Sequence, residues 1–584
     1  MPVSRELGGY FVSVLKTLKA AASLKDLASL LGFKPSALSY IVYQTPPNSK
    51  YTKFEIPKKN GGTRHICAPS PPLKLLQRHL ANALYACRQE IDSSSSLRPL
   101  SHGFREGLSI VSNAKNHKRR KFVLNLDLEN FFPTFNFGRV RGFFIKNNDF
   151  QLTDKVATLI AQIACYENGL PQGSPCSPII ADLIAHLLDV RLVRLAKTYG
   201  VSYSRYADDL TFSTNQNSFP NSLAANEGLE GSEWKLGSAL TSTIQNAGYL
   251  INNEKTRMQL RTSRQLVTGL TVNSKVNIRA EYYRRARAMC NSLFETGQYH
   301  QEFTPTEDGD RPVPVLISEL APLEGILSHI HHVKDIVDIR TETSKKQNPT
   351  TARRLYSQFL EYRHFVHPPR PLIICEGQTD SIYLKNAIRK LKAFHPKLGE
   401  WDGNVFNSTI SFFNYRSQTH KLLDIGGGTG PLKHLIQRYK SILARCKHRP
   451  LNHPVIVLID NDKGASAIFS LIKDNYKKVI SLESADLFFH IVANLYLVKT
   501  PSQKAGEMSC IENFFEPKLL KTKINGKFFN PDNKINASSE YGKVIFAEKV
   551  VRPNANEIDF SQFHSVIQRI VAAIDDYEKR LAAP

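Results

Sequence analysis

Several things are scarce or missing in this 584-residue chain. No uncharged apolar run reaches the roughly 20 residues that cross a bilayer, which excludes a membrane-spanning helix and predicts no membrane partner. The first stretch, MPVSRELGGYFVSVLKTLKAAASLKDLASLLGF, is amphipathic with interspersed charge and lacks the continuous apolar core of a secretory signal. The eight cysteines are scattered without a C-x-x-C pair. That spacing argues against a zinc site and a disulfide framework, and predicts a reducing, cytoplasmic setting. There is no internal repeat and no low-complexity tract. Acidic residues are in deficit, 52 against 77 Lys and Arg, which leaves a net charge of +25. An excess of that size says nothing about fold, but it favours a polyanionic partner, nucleic acid ahead of an anionic membrane surface.

What is present is ordinary globular material, 41% hydrophobic, in a chain too long for one core, so at least two domains are expected. Residues 1–50 read as short helices broken at Gly32 and Pro35, a packing element with no basic recognition face. From 51 the pattern turns to strands and loops, with KKNGGTR as the basic tip of a hairpin. A basic, helical stretch runs from about 281 to 366. The Pro-rich His367–Pro371 then introduces a strand–helix alternation (PLIICEG, PVIVLIDND, NLYLVKT) that predicts a mainly parallel sheet of its own.

Two groups of acids carry the chemistry. Asp127 ends the apolar run FVLNLDLENFF, and Asp208 and Asp209 interrupt another, YSRYADDLTFS. Adjacent carboxylates repel, and Asp-Asp is also a common turn. The repulsion vanishes once a dication sits between them. Nucleotidyl transfer uses two Mg²⁺ ions about 3.5–4 Å apart, held by a few carboxylates and substrate phosphate. RYADD resembles the Y-x-D-D box of reverse transcriptases, LDLENFF their first catalytic strand, and GLPQGSPCSP their template-gripping turn, in the family's order. The resemblance implies a right-hand α+β polymerase with fingers and palm over 51–280 and a helical thumb over 281–366. It implies that Lys59 and Arg64 contact the incoming deoxynucleoside triphosphate. It also implies that Phe132 is the steric gate against a ribose 2′-hydroxyl, that Gln172 and Gly173 lie against the templating pair, and that Lys255 stands near the catalytic hairpin.

Two shorter boxes narrow the resemblance. SNAKNH, with Asn113 and His117, and Val267-Thr268-Gly269 are similar to the N-A-x-x-H and V-T-G boxes of retron reverse transcriptases. The likeness spans roughly residues 20–340. It implies a bacterial enzyme that reads its own non-coding RNA, primes from a guanosine 2′-hydroxyl and makes branched RNA-linked DNA (msDNA). RNA contacts are expected at these boxes and at Arg284, Arg285 and Arg287 in the thumb.

The second acidic group lies in 367–584. Glu376-Gly377-Gln378-Thr379-Asp380 follows one strand, and Asp460-Asn461-Asp462 another, at the carboxyl ends where open α/β sheets keep their sites. An E-G-x-T-D turn followed by D-x-D resembles a Toprim domain of the kind in OLD-type nucleases, and GEMSCIENFF resembles their later box, with Glu512 as a further ligand. The glycine run DIGGGTG lacks the Lys-Ser/Thr of a P-loop and reads as a tight turn. The resemblance implies a metal-dependent nuclease with Glu376, Asp380, Asp460, Asp462 and Glu512 as ligands. Glu376 doubles as acid–base. Mg²⁺ is expected in both halves, with Mn²⁺ as a substitute. It further implies an anti-phage, toxin–antitoxin-like role in which the RNA–DNA product restrains the nuclease, whose target is a nucleic acid; a homo-oligomer is compatible with this. The rival readings are a non-retron defence or mobile-element reverse transcriptase, and an RNA- or msDNA-binding scaffold with a non-catalytic Toprim half.

Overall fold

In the computed structural model the described residues are 13–57, 62–94, 98–227, 234–302, 314–415, 418–502, 507–532 and 534–583. They divide into two compact units. One holds the chain up to Tyr282 with a return at Val333–Ile339; the other holds Tyr283–Gln301, Pro314–His332 and the chain from Arg340 onward.

The first unit opens with helices Val14–Ala20 and Leu24–Leu31. Ser13 caps the first, a Ser23–Asp26 capping box starts the second, and Gly32 at φ 73° ends it in the left-handed region. Strands β1 (Tyr51–Pro57) and β2 (Thr63–Pro69) form an antiparallel hairpin. Helix Pro71–Ser93 follows, with Pro at its start where the missing N–H costs nothing. The central sheet is antiparallel. Strand β3 (Phe122–Glu129) lies between β5 (Asp209–Thr214) on one side and Leu250–Ile251 and Arg257–Leu260 on the other, and β4 (Ser202–Tyr206) pairs with β5. Helix Ser177–Thr198 buries Ile179, Ile180, Leu183, Ile184, Leu188 and Leu192, joining the core that includes Leu124, Leu126 and Phe212.

The second unit is built on five strands in the order Ser411–Phe412, Leu372–Cys375, Val455–Ile459, Leu495–Lys499 and Phe489–Val492. All are parallel except the last. LIIC and VIVLI are buried along their whole length, as strands covered on both faces must be. The helical stretch assigned to a thumb by sequence does not stand apart from this sheet. Asn494 Nδ2 donates to the Phe365 carbonyl at 3.0 Å. Leu451 N donates to Val366 O at 3.1 Å and His448 N to Phe294 O at 3.0 Å. Phe365 and Val366 are fully buried, so the segment leading into His367–Pro371 is core, and the Pro-rich signal marks a bend inside a unit rather than its edge.

Candidate functional site

Register decides the geometry of the first site. Asp127 on β3 pairs directly with Asp209 on β5, and Tyr206 pairs with Asp209 across the hairpin. Residues directly opposite in an antiparallel pair share a face, so both carboxylates project together, with Asp208 in the turn between β4 and β5. The turn is tied to β3 by Leu128 N donating to Asp208 O at 3.0 Å. Burial, the Asp208 charge and the Asp127 charge together push Asp209 up to about 7. Asp208 is raised by burial and by Asp127, against the opposing pull of Lys255 and Arg64. Lys255 donates to both Asp127 oxygens, at 3.0 and 3.1 Å.

The other nucleotide-site candidates fall as follows. Arg64 is exposed on β2, and its charge is felt at Asp208; Lys59 lies outside the described residues. Phe131 is buried against Phe135 and Tyr249, while Phe132 keeps partial exposure beside Phe104. Gly173, at φ 119°, meets the fingers backbone: a Cβ there would lie 2.7 Å from Cys67 O. Gln172 O accepts from Cys67 N at 2.8 Å. The close approach expected against a template base is thus made, in this structure, against β2.

The two short boxes fall as follows. Asn113 and His117 are fully buried. His117 bridges Ser213 Oγ on β5 at 2.8 Å and Ser204 Oγ on β4 at 2.7 Å, and Ser204 Oγ donates to Asn113 Oδ1 at 2.6 Å. Burial drops His117 to about 3, so the ring is neutral. Val267 is buried too. Thr268 (φ 46°) and Gly269 (φ 80°) form the two-residue turn between Leu266–Val267 and Leu270–Thr271. Positive φ at both positions is what a tight hairpin turn demands. Thr268 Oγ1 donates to Ile110 O at 3.2 Å, joining this turn to helix Ile110–Lys115, which carries Asn113. The buried members of the two boxes form one strut behind the Asp208–Asp209 hairpin, while Ser112, Lys115, Asn116, Thr268 and Gly269 keep solvent access.

In the second unit, exposed Arg284 and Arg287 line a groove of about 710 Å³ with Tyr283, Asn291, Thr351 and Arg354. Arg285, on the same helix, is exposed.

The second acidic group gathers at the carboxyl ends of Leu372–Cys375 and Val455–Ile459. Glu376 Oε2 accepts from Asp460 N at 3.2 Å, Asp460 Oδ1 from Ile511 N at 3.0 Å, and Asp380 Oδ2 from Gly377 N at 2.8 Å. Burial, then Asp380, Glu512 and Glu376, raise Asp460 to about 8; burial and Glu512 raise Asp380 to about 7. Asp462 Oδ1 caps the next helical turn, accepting from Gly464 N at 2.8 Å. The glycine run folds over the site, with Gly428 N donating to Glu376 O at 2.8 Å.

Lys543 escaped sequence reading. It lies 31 residues beyond Glu512 in a stretch without a motif, yet its Nζ donates to Glu512 Oε2 at 3.1 Å. Burial opposes its charge, but Glu512, Asp460 and Asp380 outweigh that and hold it above its ordinary value. Glu512 is 2% exposed, and its Oε1 has no hydrogen-bond partner among the described residues.

Among the described residues, no three His, Cys, Asp or Glu side chains already converge as a metal cage. The donor sets nonetheless suit a hard dication. Both consist of carboxylate oxygens; burial and neighbouring like charge raise Asp208, Asp209, Glu376, Asp380 and Asp460, and Glu512 Oε1 has no hydrogen-bond partner among the described residues.

Residues 56–278 match the family model described as reverse transcriptase (RNA-dependent DNA polymerase). That span contains β3, the Asp208–Asp209 hairpin and Lys255, so the first unit is a polymerase of the reverse-transcriptase class. Individual relatives are more specific. The retron Mx65 reverse transcriptase of Myxococcus xanthus is 31% identical over 372 residues, covering 61% of this chain and 74% of that protein. The retron Ec86 reverse transcriptase of Escherichia coli is 33% identical over 275 residues, covering 47% and 78%. The chain belongs to the retron reverse transcriptases. Among solved structures, a Candida tropicalis telomerase in complex with a fragment of telomeric RNA aligns at 12% identity and TM-score 0.29, over 72% of this chain and 64% of that one; so low a score adds nothing to the assignment.

Proposed function

We propose that the chain copies a retron non-coding RNA into branched msDNA, and that its C-terminal sheet is a Toprim nuclease that acts as the effector of an anti-phage system. The observation that carries the first half is the register of Asp127 opposite Asp209, with Lys255 on Asp127. Mg²⁺, when bound, supplies the positive charge that offsets the attacking oxygen and the leaving pyrophosphate. Asp127, Asp208 and Asp209 hold that charge in place. Arg64, whose field reaches Asp208, meets the triphosphate together with Lys59. Phe132 packs under the sugar and excludes a 2′-hydroxyl. Gln172 and Gly173 steady the templating side through β2. Arg284, Arg285 and Arg287 bind RNA phosphates, and the buried Asn113–His117 pair serves RNA-primed synthesis through the hairpin it braces.

The nuclease reading is supported by Glu376, Asp380, Asp460 and Glu512 meeting at one edge of a parallel sheet, the usual active edge of such sheets. Mg²⁺ there would be held by these carboxylates with Asp462 nearby, and Glu376 would move the proton. A binding-only role is favoured by one observation: Asp462 is spent on a helix cap. Asp460→Ala with Asp462→Ala separates the two. Loss of metal-dependent nuclease activity and of phage defence, with branched DNA intact, is expected. Undiminished defence would reject the effector role.

A further inference from the structure

Beneath the catalytic turn lies a group of charges that the polymerase chemistry does not use. Arg205, on β4, is 0% exposed, as are Asp182 and Asp189 on helix Ser177–Thr198. Arg205 Nε donates to Asp189 Oδ1 at 2.8 Å, and Nη2 donates to Asp189 Oδ2 at 2.8 Å and to Asp182 Oδ1 at 3.0 Å. Tyr203 and Ser101 hydroxyls also donate to these carboxylates, at 2.7 and 2.5 Å. Nη1 points elsewhere, donating to Ala207 O at 3.0 Å. Ala207 is the residue before Asp208, and at φ 55° it sits in the left-handed region that a Cβ resists.

Such a conformation persists only when the surroundings over-determine it. They do so here from two sides. Arg205 grips the carbonyl, and Gly103 packs so closely that a Cβ on it would lie 2.5 Å from Ala207 N. The segment around Gly103 is itself tied to Arg205, through Arg205 N donating to Leu100 O at 2.9 Å and His102 N to Arg205 O at 2.8 Å. A buried ion network is a poor way to gain stability, because apolar residues of the same volume do as well. Its worth lies in fixing one geometry. The bidentate clasp of Asp189 sets the plane of the guanidinium, and the plane sets where Nη1 points.

We propose that Arg205, clasped by Asp182 and Asp189, is a positioning residue for the metal-holding turn. By pinning the Ala207 carbonyl it keeps the turn left-handed at that residue and aims Asp208 and Asp209 at the same point as Asp127. The inference rests on the polymerase reading of that turn.

The test uses the full chain extending a DNA primer on an RNA template, with Mg²⁺ titrated and thermal melting followed in parallel. Asp209→Asn alone tests the polymerase reading: if that variant extends the primer as wild type does, that reading fails, whatever Arg205 does. Arg205→Met alone leaves two buried carboxylates unpaired and is expected to melt early. Arg205→Met with Asp182→Asn and Asp189→Asn removes the charges together. It should recover most of the melting temperature yet need at least about tenfold more Mg²⁺ for half-maximal rate, with kcat also lowered. Recovery of the wild-type Mg²⁺ requirement along with the melting temperature would overturn the proposal and leave the network as a tie between helix and sheet. Should the triple variant fail to fold, Arg205→Lys decides: it keeps the charge but not the fork. A wild-type Mg²⁺ requirement in that folded variant overturns the proposal, and a raised one supports it.

Discussion

Replacing His117 with alanine distinguishes a buried strut from an RNA contact. The ring is fully buried and joins Ser204 on β4 to Ser213 on β5. Its removal leaves two buried hydroxyls short of a partner and a void where the imidazole packed, a cost of about 3–5 kcal/mol. The penalty carries a pH signature. Burial lowers the imidazole to about 3, against about 6.5 in the unfolded chain. A folded value below the unfolded one means that the unfolded chain binds the extra proton, so His117 contributes its full stability above pH 6.5 and loses it as pH falls towards 3. Between pH 6.5 and 5 that loss is about 2 kcal/mol. His117→Ala has no such ring to charge, so its deficit relative to wild type should shrink by about 2 kcal/mol on going from pH 7 to pH 5. Urea unfolding at the two pH values measures this, and RNA affinity at pH 7, below the melting range, should stay within about threefold of wild type. A variant of wild-type stability that binds RNA tenfold more weakly would refute the buried-strut account.

Other expectations follow from single contacts. Gly173→Ala places a Cβ 2.7 Å from Cys67 O at a φ of 119° and should cost about 1–3 kcal/mol in thermal or urea unfolding. Phe132→Val should lower discrimination between deoxy- and ribonucleotides at least about tenfold, or about 1.4 kcal/mol, in ratios of kcat/KM, while Phe131→Val should act mainly on stability. Lys543→Met leaves Glu512 buried among Asp380 and Asp460 without its cation. It should destabilise the chain by about 1–3 kcal/mol, with part of the loss regained in Mg²⁺ and DNA synthesis untouched.

The acids of the first unit were legible because Asp127, Asp208 and Asp209 interrupt otherwise apolar runs; a turn alone would account for the Asp-Asp pair, and it is the register of Asp127 opposite Asp209 that brings the acids together. Phe132 was singled out by resemblance, and the structure adds that its neighbour Phe131 is the one that faces the core. Motif likeness alone does not encode burial. Asn113 and His117 read as contact residues through the box they resemble, but polar groups inside a fold are stable where they find partners: both His117 nitrogens and Asn113 Oδ1 find Ser204 and Ser213. Arg205 was hidden because an arginine beside a tyrosine in a strand reads as surface, and the aspartates that permit its burial lie 16 and 23 residues away on a helix. Lys543 has no local signal whatever. The joining of Tyr283–Gln301 to the C-terminal unit was also invisible, because Pro-rich composition at 367–371 signals a bend and says nothing of what packs on either side.

The most direct test of the account is sequencing of the nucleic acids that co-purify with the full chain and with its Asp208→Asn/Asp209→Asn variant. The account predicts one structured RNA in both preparations, joined through an internal guanosine 2′-oxygen to single-stranded DNA in the wild type alone. Branched DNA in the variant, or a wild type that carries assorted RNA with no branch, would contradict it.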